Sequence, residues 1–396
     1  TSTGVGGVGA DGGALTITDL HKVVGAVTVE SGAGGAGATA VKTGTSGALG
    51  GAGGVVLLSE IGQGAVGTTN IALTTGNGAN AGDGIALAVG GVGGAGGALT
   101  LADMTQNITG TLTVTSGNGA NGGTSLGTAT GAVGGAGGLA TVSEMSQVAN
   151  LVIVAGSGGT GGQVSGTSHN AGAGGAGGGV TFPATADTPV TASVTMTGGA
   201  GGAGGAGAGA GRVGGVGGIG GVIAVGHQDG DVGANISLTG GAGGKGGDAT
   251  AGTGGDGRAG STISYELDGN VGGTIYIEDG AAGADGTNNG GTAAGSGGAA
   301  GTVTLLLDGS TVTGATTVGN DGDGTITTKT AAVTFSNNIG TSSKALGTMD
   351  VDIATTYHKN VYADAFTAAS VNVVFTGTTE QVVSGRMTGT GTLSIE

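Results

Sequence analysis

Two patterns of apolar and polar positions alternate along the chain. The first has a period of two. Over residues 111–115 Thr alternates with Leu and Val, the mark of a strand with one buried face, and the segment is rich in the β-branched residues that favour extended backbone. The second has a period of three. Val213, Val216, Ile219 and Val222 are separated by pairs of glycine, and Val89, Val92, Ala95 and Ala98 repeat the spacing, as do Val133, Ala136 and Leu139. Three matches neither the 3.6-residue turn of an α-helix nor the two-residue repeat of a strand. It matches a polyproline-II-type helix, which has three residues per turn and rises about 3.1 Å per residue. Such a helix makes no internal hydrogen bonds, so its bare glycine faces must bond to neighbouring backbone.

These two patterns recur as a unit. Glycine-rich starts follow Ser31, Thr75, Ser116, Ser157, Thr197, Thr239, Asp279 and Gly319, at intervals close to 41 residues. Each unit holds a first glycine run, a link, a second glycine run, a strand, a turn and a second strand. The sequence therefore predicts an all-β repeat protein: a β-solenoid of stacked strands combined with packed polyglycine-II helices, with essentially no α-helix. Residues 1–320 form the glycine-rich repeat domain, and 321–396 form a β-rich C-terminal tail that caps or assembles. At about 4.8 Å per rung, eight units make a block of roughly 40 Å, and a ten-residue glycine run spans about 30 Å.

The runs differ in their third residue. In the first run it is small or polar, as in Asn77, Asn80 and Asp83, or Asn118, Asn121 and Thr124, or Ala242, Lys245 and Asp248. In the second it is mostly apolar. The expectation is that the first run lies outside and the second packs against the strands.

Composition sharpens this reading. Glycine supplies 105 of 396 residues, against roughly 7% in ordinary proteins, yet the mean hydropathy is +0.28, which argues for order rather than a flexible linker. Collagen would need abundant proline, and only Pro183 and Pro189 are present. The first aromatic residue is Phe182, so the earlier units must build thin layers rather than a thick core. With 9 basic against 25 acidic residues the chain has a net charge of −16, a poor match for nucleic acid. Every apolar run is short, so no membrane-spanning segment is expected. Without cysteine there is no disulfide frame, thiolate metal site or thiol nucleophile.

Candidate chemistry is sparse. Early units carry an acid before a large apolar residue at Asp19-Leu20, Glu60-Ile61, Asp103-Met104 and Glu144-Met145, read as a solvated turn whose apolar neighbour plugs the core; a cation ladder is the sharper alternative. Later units place Asp-Gly at 229, 268 and 308, which reads as tight turns. Asp229 with Asp231, and Asp321 with Asp323, have Asp-Gly-Asp spacing able to supply oxygen ligands to calcium, although no complete EF-hand loop is present. His21, His169, His227 and His358 have no metal-ligand spacing among themselves. The many G-x-G-x-x-G matches lack a βαβ context, so no nucleotide loop or enzyme is expected.

From about Thr325 the glycine runs stop and Phe335, Tyr357, Tyr362, Phe366 and Phe375 appear. Residues 335–351 and 359–378 resemble the repeats in passenger regions of bacterial autotransporters, particularly rickettsial-type surface antigens. That resemblance implies an extended β-helical cell-surface protein. The glycine runs are similar in style to the polyglycine-helix sandwiches of phage tail-tip adhesins. The expected function is that of an extracellular structural protein assembling with copies of itself into a surface layer, sheath or filament. A receptor-binding adhesin recognising cell-surface glycans is the alternative. An ice-binding protein is the third reading, since Thr-x-Thr occurs at 16–18, 109–115 and 325–327, but out of the register such a face needs.

Overall fold

A computed structural model describes residues 7–18, 25–59, 70–104, 107–126, 129–166, 169–182, 189–290, 293–377, 381–390 and 392–395. Among the described residues every regular element is a strand, and every pair of neighbouring strands is parallel. Among the described residues no helix is long and apolar enough to cross a membrane. The protein is an all-β solenoid-like repeat fold.

One coil shows the construction. The glycine run of residues 89–98 leads straight into the strand Leu99–Leu101, the chain turns, and the strand Ile108–Thr115 leads straight into the next glycine run at Gly117. Leu99–Leu101 pairs with Val56–Leu58 before it and Ala140–Val142 after it; Ile108–Thr115 pairs with Ile71–Thr74 and Val148–Val154. Repetition gives a 12-stranded sheet from Leu15–Ile17 to Val383–Gly389, and an eight-stranded sheet from Val27–Glu30 to Thr316–Val318. Alternation sets the inner faces. Leu99 and Leu101 face Leu112 and Val114, all completely buried, while Thr100, Thr113 and Thr115 point outward and are half-buried. The same side chains stack coil on coil into one continuous apolar core.

Beyond the strands this core narrows into a layer of backbone alone. The two glycine runs of a coil lie against each other and against those of neighbouring coils, joined by a zigzag of amide bonds. Gly97 N donates to Gly76 O (2.8 Å), Gly117 N to Gly97 O (3.2 Å) and Gly138 N to Gly117 O (2.7 Å). Within each layer a second set runs coil to coil every third residue, as in Gly93 N to Val133 O (3.1 Å) and Gly96 N to Ala136 O (2.8 Å). The backbones approach so closely that a Cβ on Gly94 would overlap the carbonyl oxygen of Gly51, and one on Gly97 that of Gly54. Where the wide core tapers into this layer, buried hydroxyls bridge the step: Ser31 Oγ donates to Gly54 O (2.6 Å) and Thr75 Oγ1 to Gly97 O (2.5 Å). Each hydroxyl also accepts an amide from the next coil, Gly76 N on Ser31 (3.0 Å) and Gly117 N on Thr75 (2.7 Å).

One expectation is corrected here. The second run does not turn its apolar third residues toward the strands; Val89, Val92, Val133, Leu139, Ile219 and Val222 are 39–54% exposed. The intervening positions, glycine with an occasional buried alanine such as Ala48, Ala120 or Ala132, lie against backbone, so the third residues of either run, polar or apolar, point outward.

After Asp323 the glycine layer ends, but the same 12-stranded sheet continues through Asp323–Lys329, Leu346–Val351, Val361–Ala368 and Val383–Gly389. The coils shorten to roughly half, and a five-stranded sheet including Val333–Phe335, Thr355–Tyr357 and Asn372–Phe375 closes the other side. Aromatic rings fill the space between: Phe335, Tyr357 and Phe375 stack at centroid spacings of 5.4 and 5.0 Å, with Phe366 edge-on to Tyr357 at 5.9 Å.

Candidate binding surfaces

The glycine layer has two outer faces with opposite chemistry. On the face of the first runs, Asn and Asp recur at the same triplet position in successive coils, and each side-chain oxygen takes the outward amide of the next coil. Asn77 Oδ1 accepts from Asn118 N (2.7 Å), Asn118 Oδ1 from Ser157 N (2.8 Å), Asn80 Oδ1 from Asn121 N (3.0 Å), Asn121 Oδ1 from Thr160 N (3.0 Å) and Asp83 Oδ1 from Thr124 N (2.7 Å). These amides would otherwise be left to water. A shallow polar groove runs along Asn80, Asp83, Asn121, Thr124, Thr160 and Gln163. Farther along, Asp248 Oδ1 accepts from Thr287 N (2.8 Å) while Lys245 Nζ donates to the same carboxylate (2.8 Å); the lysine first, then the Thr287 amide, hold the Asp248 carboxyl down at about 2. Sequence reasoning read these positions only as small or polar. The available signal was the recurrence of Asn and Asp one repeat apart, the spacing of a ladder.

On the face of the second runs the third residues are Leu49, Ala52 and Val55, then Val89, Val92, Ala95 and Ala98, then Val133, Ala136 and Leu139, and so on to Val213, Val216, Ile219 and Val222. Coil-to-coil bonds at Gly50, Gly93, Gly134 and Gly174 align Leu49, Val92, Val133, Ala173 and Val216 in one column.

The Asp-Gly turns converge on a small charged group. His227 Nε2 lies 3.2 Å from Asp268 Oδ2 and contacts Asp229, and His227 Nδ1 lies 3.7 Å from Glu266 Oε1. One ligand atom each of His227, Glu266 and Asp268 falls within 4.8 Å of the others. Partial burial raises the Asp268 carboxyl above its ordinary range; His227 opposes that effect and the charges of Asp308, Asp229 and Glu266 add to it. An imidazole among carboxylates suits a transition ion better than calcium.

Of the residues expected to ligate calcium, only Asp229 touches this group. Asp231 Oδ1 instead accepts from Asn270 N (2.7 Å) and Nδ2 (3.1 Å). Asp321 Oδ1 accepts from Ala345 N (2.8 Å), and Asp323 Oδ2 from Asn320 N (2.7 Å) and Nδ2 (3.2 Å). Asp231, Asp321 and Asp323 thus serve separate hydrogen bonds, while Asp229 stands with His227. Asp323 lies near Asp279, whose carboxyl is raised to about 6 by burial first and then by the charges of Asp323 and Glu278.

Met104 and Met145, the apolar partners of Asp103 and Glu144, are buried in the core. Asp19-Leu20 and Glu60-Ile61 lie outside the described residues, as does His21. The Thr-x-Thr segments divide between sheets. Thr325 and Thr327 lie in the strand Asp323–Lys329 of the 12-stranded sheet, whereas Thr113 and Thr115 lie in the eight-stranded one. There Thr113 and Thr115 are in register with Val152 and Val154, then Thr195 and Thr197, then Ser237 and Thr239.

No protein-family model matches the chain, and no curated protein matches it. Among solved structures it is similar to the nine polyproline type II helical bundle springtail antifreeze protein from Granisotoma rainieri, whose crystal waters match the ice lattice. The identity is 19% and the TM-score 0.16, over 68% of this chain and 93% of that one.

Proposed function

We propose that the protein is an extracellular structural element, a slab of packed polyglycine-II-type rods joined to a strand sandwich, that assembles with copies of itself into a surface layer. The observation that carries this reading is the regularity of the outer faces. Every third residue of a glycine run projects outward and recurs one coil away, giving a two-dimensional array of side chains over an interior of tightly bonded backbone. Such a body offers extended periodic surfaces in place of a reaction pocket. A low count of Lys and Arg and the lack of cysteine suit an exposed coat that meets proteases and changing redox conditions. Negative-stain microscopy of concentrated protein tests the reading: ordered sheets or filaments are expected, and separate particles at every concentration would refute it.

A second reading, ice binding, is favoured by one observation, the register of Thr113 and Thr115 with Thr195, Thr197, Ser237 and Thr239 on a single sheet face. Val152 and Val154 interrupt the hydroxyl array, which weighs toward the structural reading.

A further inference from the structure

Three of the four outward columns on the face of the second glycine runs carry only apolar residues or glycine across five consecutive coils; the fourth, at one end of the run, mixes Val89 and Val213 with Ser46, Thr130 and Asn170. The three apolar columns carry Leu49, Val92, Val133, Leu139, Ile219 and Val222 among alanines and other valines, and the first carboxylates met on either side are Asp11 and Asp256. Three residues of extended backbone advance about 9–10 Å, and neighbouring coils lie about 4.8 Å apart. The three apolar columns over five coils therefore cover roughly 700 Å². A typical monomer's largest apolar patch is about 300–600 Å², and a stable pair needs about 800 Å² from each partner. This face reaches the scale of an interface between proteins.

We infer that its occupant is a second copy of this chain, seated face to face. The argument is geometric first. Side chains in adjacent coils stand one coil spacing apart and line up in ridges, while the glycine pairs between columns form grooves of the same pitch. A copy of the same surface, displaced by half a column spacing, places its ridges in those grooves. The outward amides beside the ridges keep water in the groove floors, as protein interfaces commonly do. Charge points the same way. The chain carries −16, so most approaches of two copies are repelled, whereas this face bears no carboxylate between Asp11 and Asp256. The contact is isologous and closed, so it forms whether or not the pairs continue into a layer. It rests on the proposed function only for the rod-like spacing of the columns.

Sedimentation equilibrium of the full chain, below the concentrations used for microscopy, tests the pairing. A dimer is expected. Val92→Lys with Val133→Lys should weaken it at least about a hundredfold, because each lysine would be buried without a partner. Val92→Thr with Val133→Thr, isosteric but polar, should weaken it less. Ala203→Lys, on the opposite face, should leave it intact. Thermal unfolding of each variant separates lost pairing from lost fold, and the threonine pair keeps the test decisive if the lysine pair unfolds. A monomer at all concentrations, or a dimer indifferent to both pairs of substitutions, would overturn the inference while leaving the layer to be judged by microscopy.

Discussion

Asp279 shows how single residues respond to this crowded, acidic architecture. Its carboxyl sits at about 6 rather than 3.8 because burial, and then Asp323 and Glu278, disfavour the charged form. The folded state therefore holds this proton more tightly than the unfolded chain does. The resulting stabilisation is complete below about pH 4 and is lost as pH rises through about 6. Asp279→Asn fixes the uncharged form. The variant should match the parent near pH 4 and melt about 1–3 °C higher at pH 7.5, less than the full worth of the displacement because Asp279 is part-exposed. Melting curves at the two pH values check this, and an equal difference at both would contradict it. No spacing rule in the sequence could find this site: Asp279 and Asp323 are 44 positions apart and meet only through stacking.

At the scale of elements, the glycine run is a rule about where a Cβ fits. Gly94→Ala would drive its methyl into the Gly51 carbonyl and should cost about 1–3 kcal/mol or more, since backbone on both sides leaves little room to relax. The neighbouring Ala95→Ser points outward and should stay within about 0.5 kcal/mol. Denaturant titration of the two variants compares them directly; equal stabilities would show that the run is loosely packed. The triplet period of Val213, Val216, Ile219 and Val222 was legible in the sequence, as were the alternating strands and the repeat near 41 residues. The side of the run that carries those residues was not. Hydrophobicity suggested an inward face, but the glycine pairs had already claimed the interior by contact distance. The His227 group was hidden for a related reason: its members sit on different coils, with His227 and Glu266 39 positions apart, so spacing within one segment could not reveal them.

Across the whole molecule, two kinds of interior run side by side through the stack. One is an apolar core between parallel sheets, stabilised by side chains such as Leu101, Leu112 and Ile153. The other contains almost no side chains and is held by amide bonds from coil to coil. The sheet outlasts the glycine layer after Asp323, where stacked aromatics replace it, so the repeat and the tail share one continuous sheet despite their different compositions. Packing of the glycine runs is the claim on which both the slab and its paired face depend. Residue-resolved hydrogen exchange of the native protein tests it most directly. The amides of Gly93, Gly94, Gly96 and Gly97, which bond to neighbouring runs, should exchange slowly, while those of Val92 and Ala95 exchange fast, a three-residue rhythm repeated at 133–138. Uniformly fast exchange across these runs, as in a solvated linker, would contradict the account.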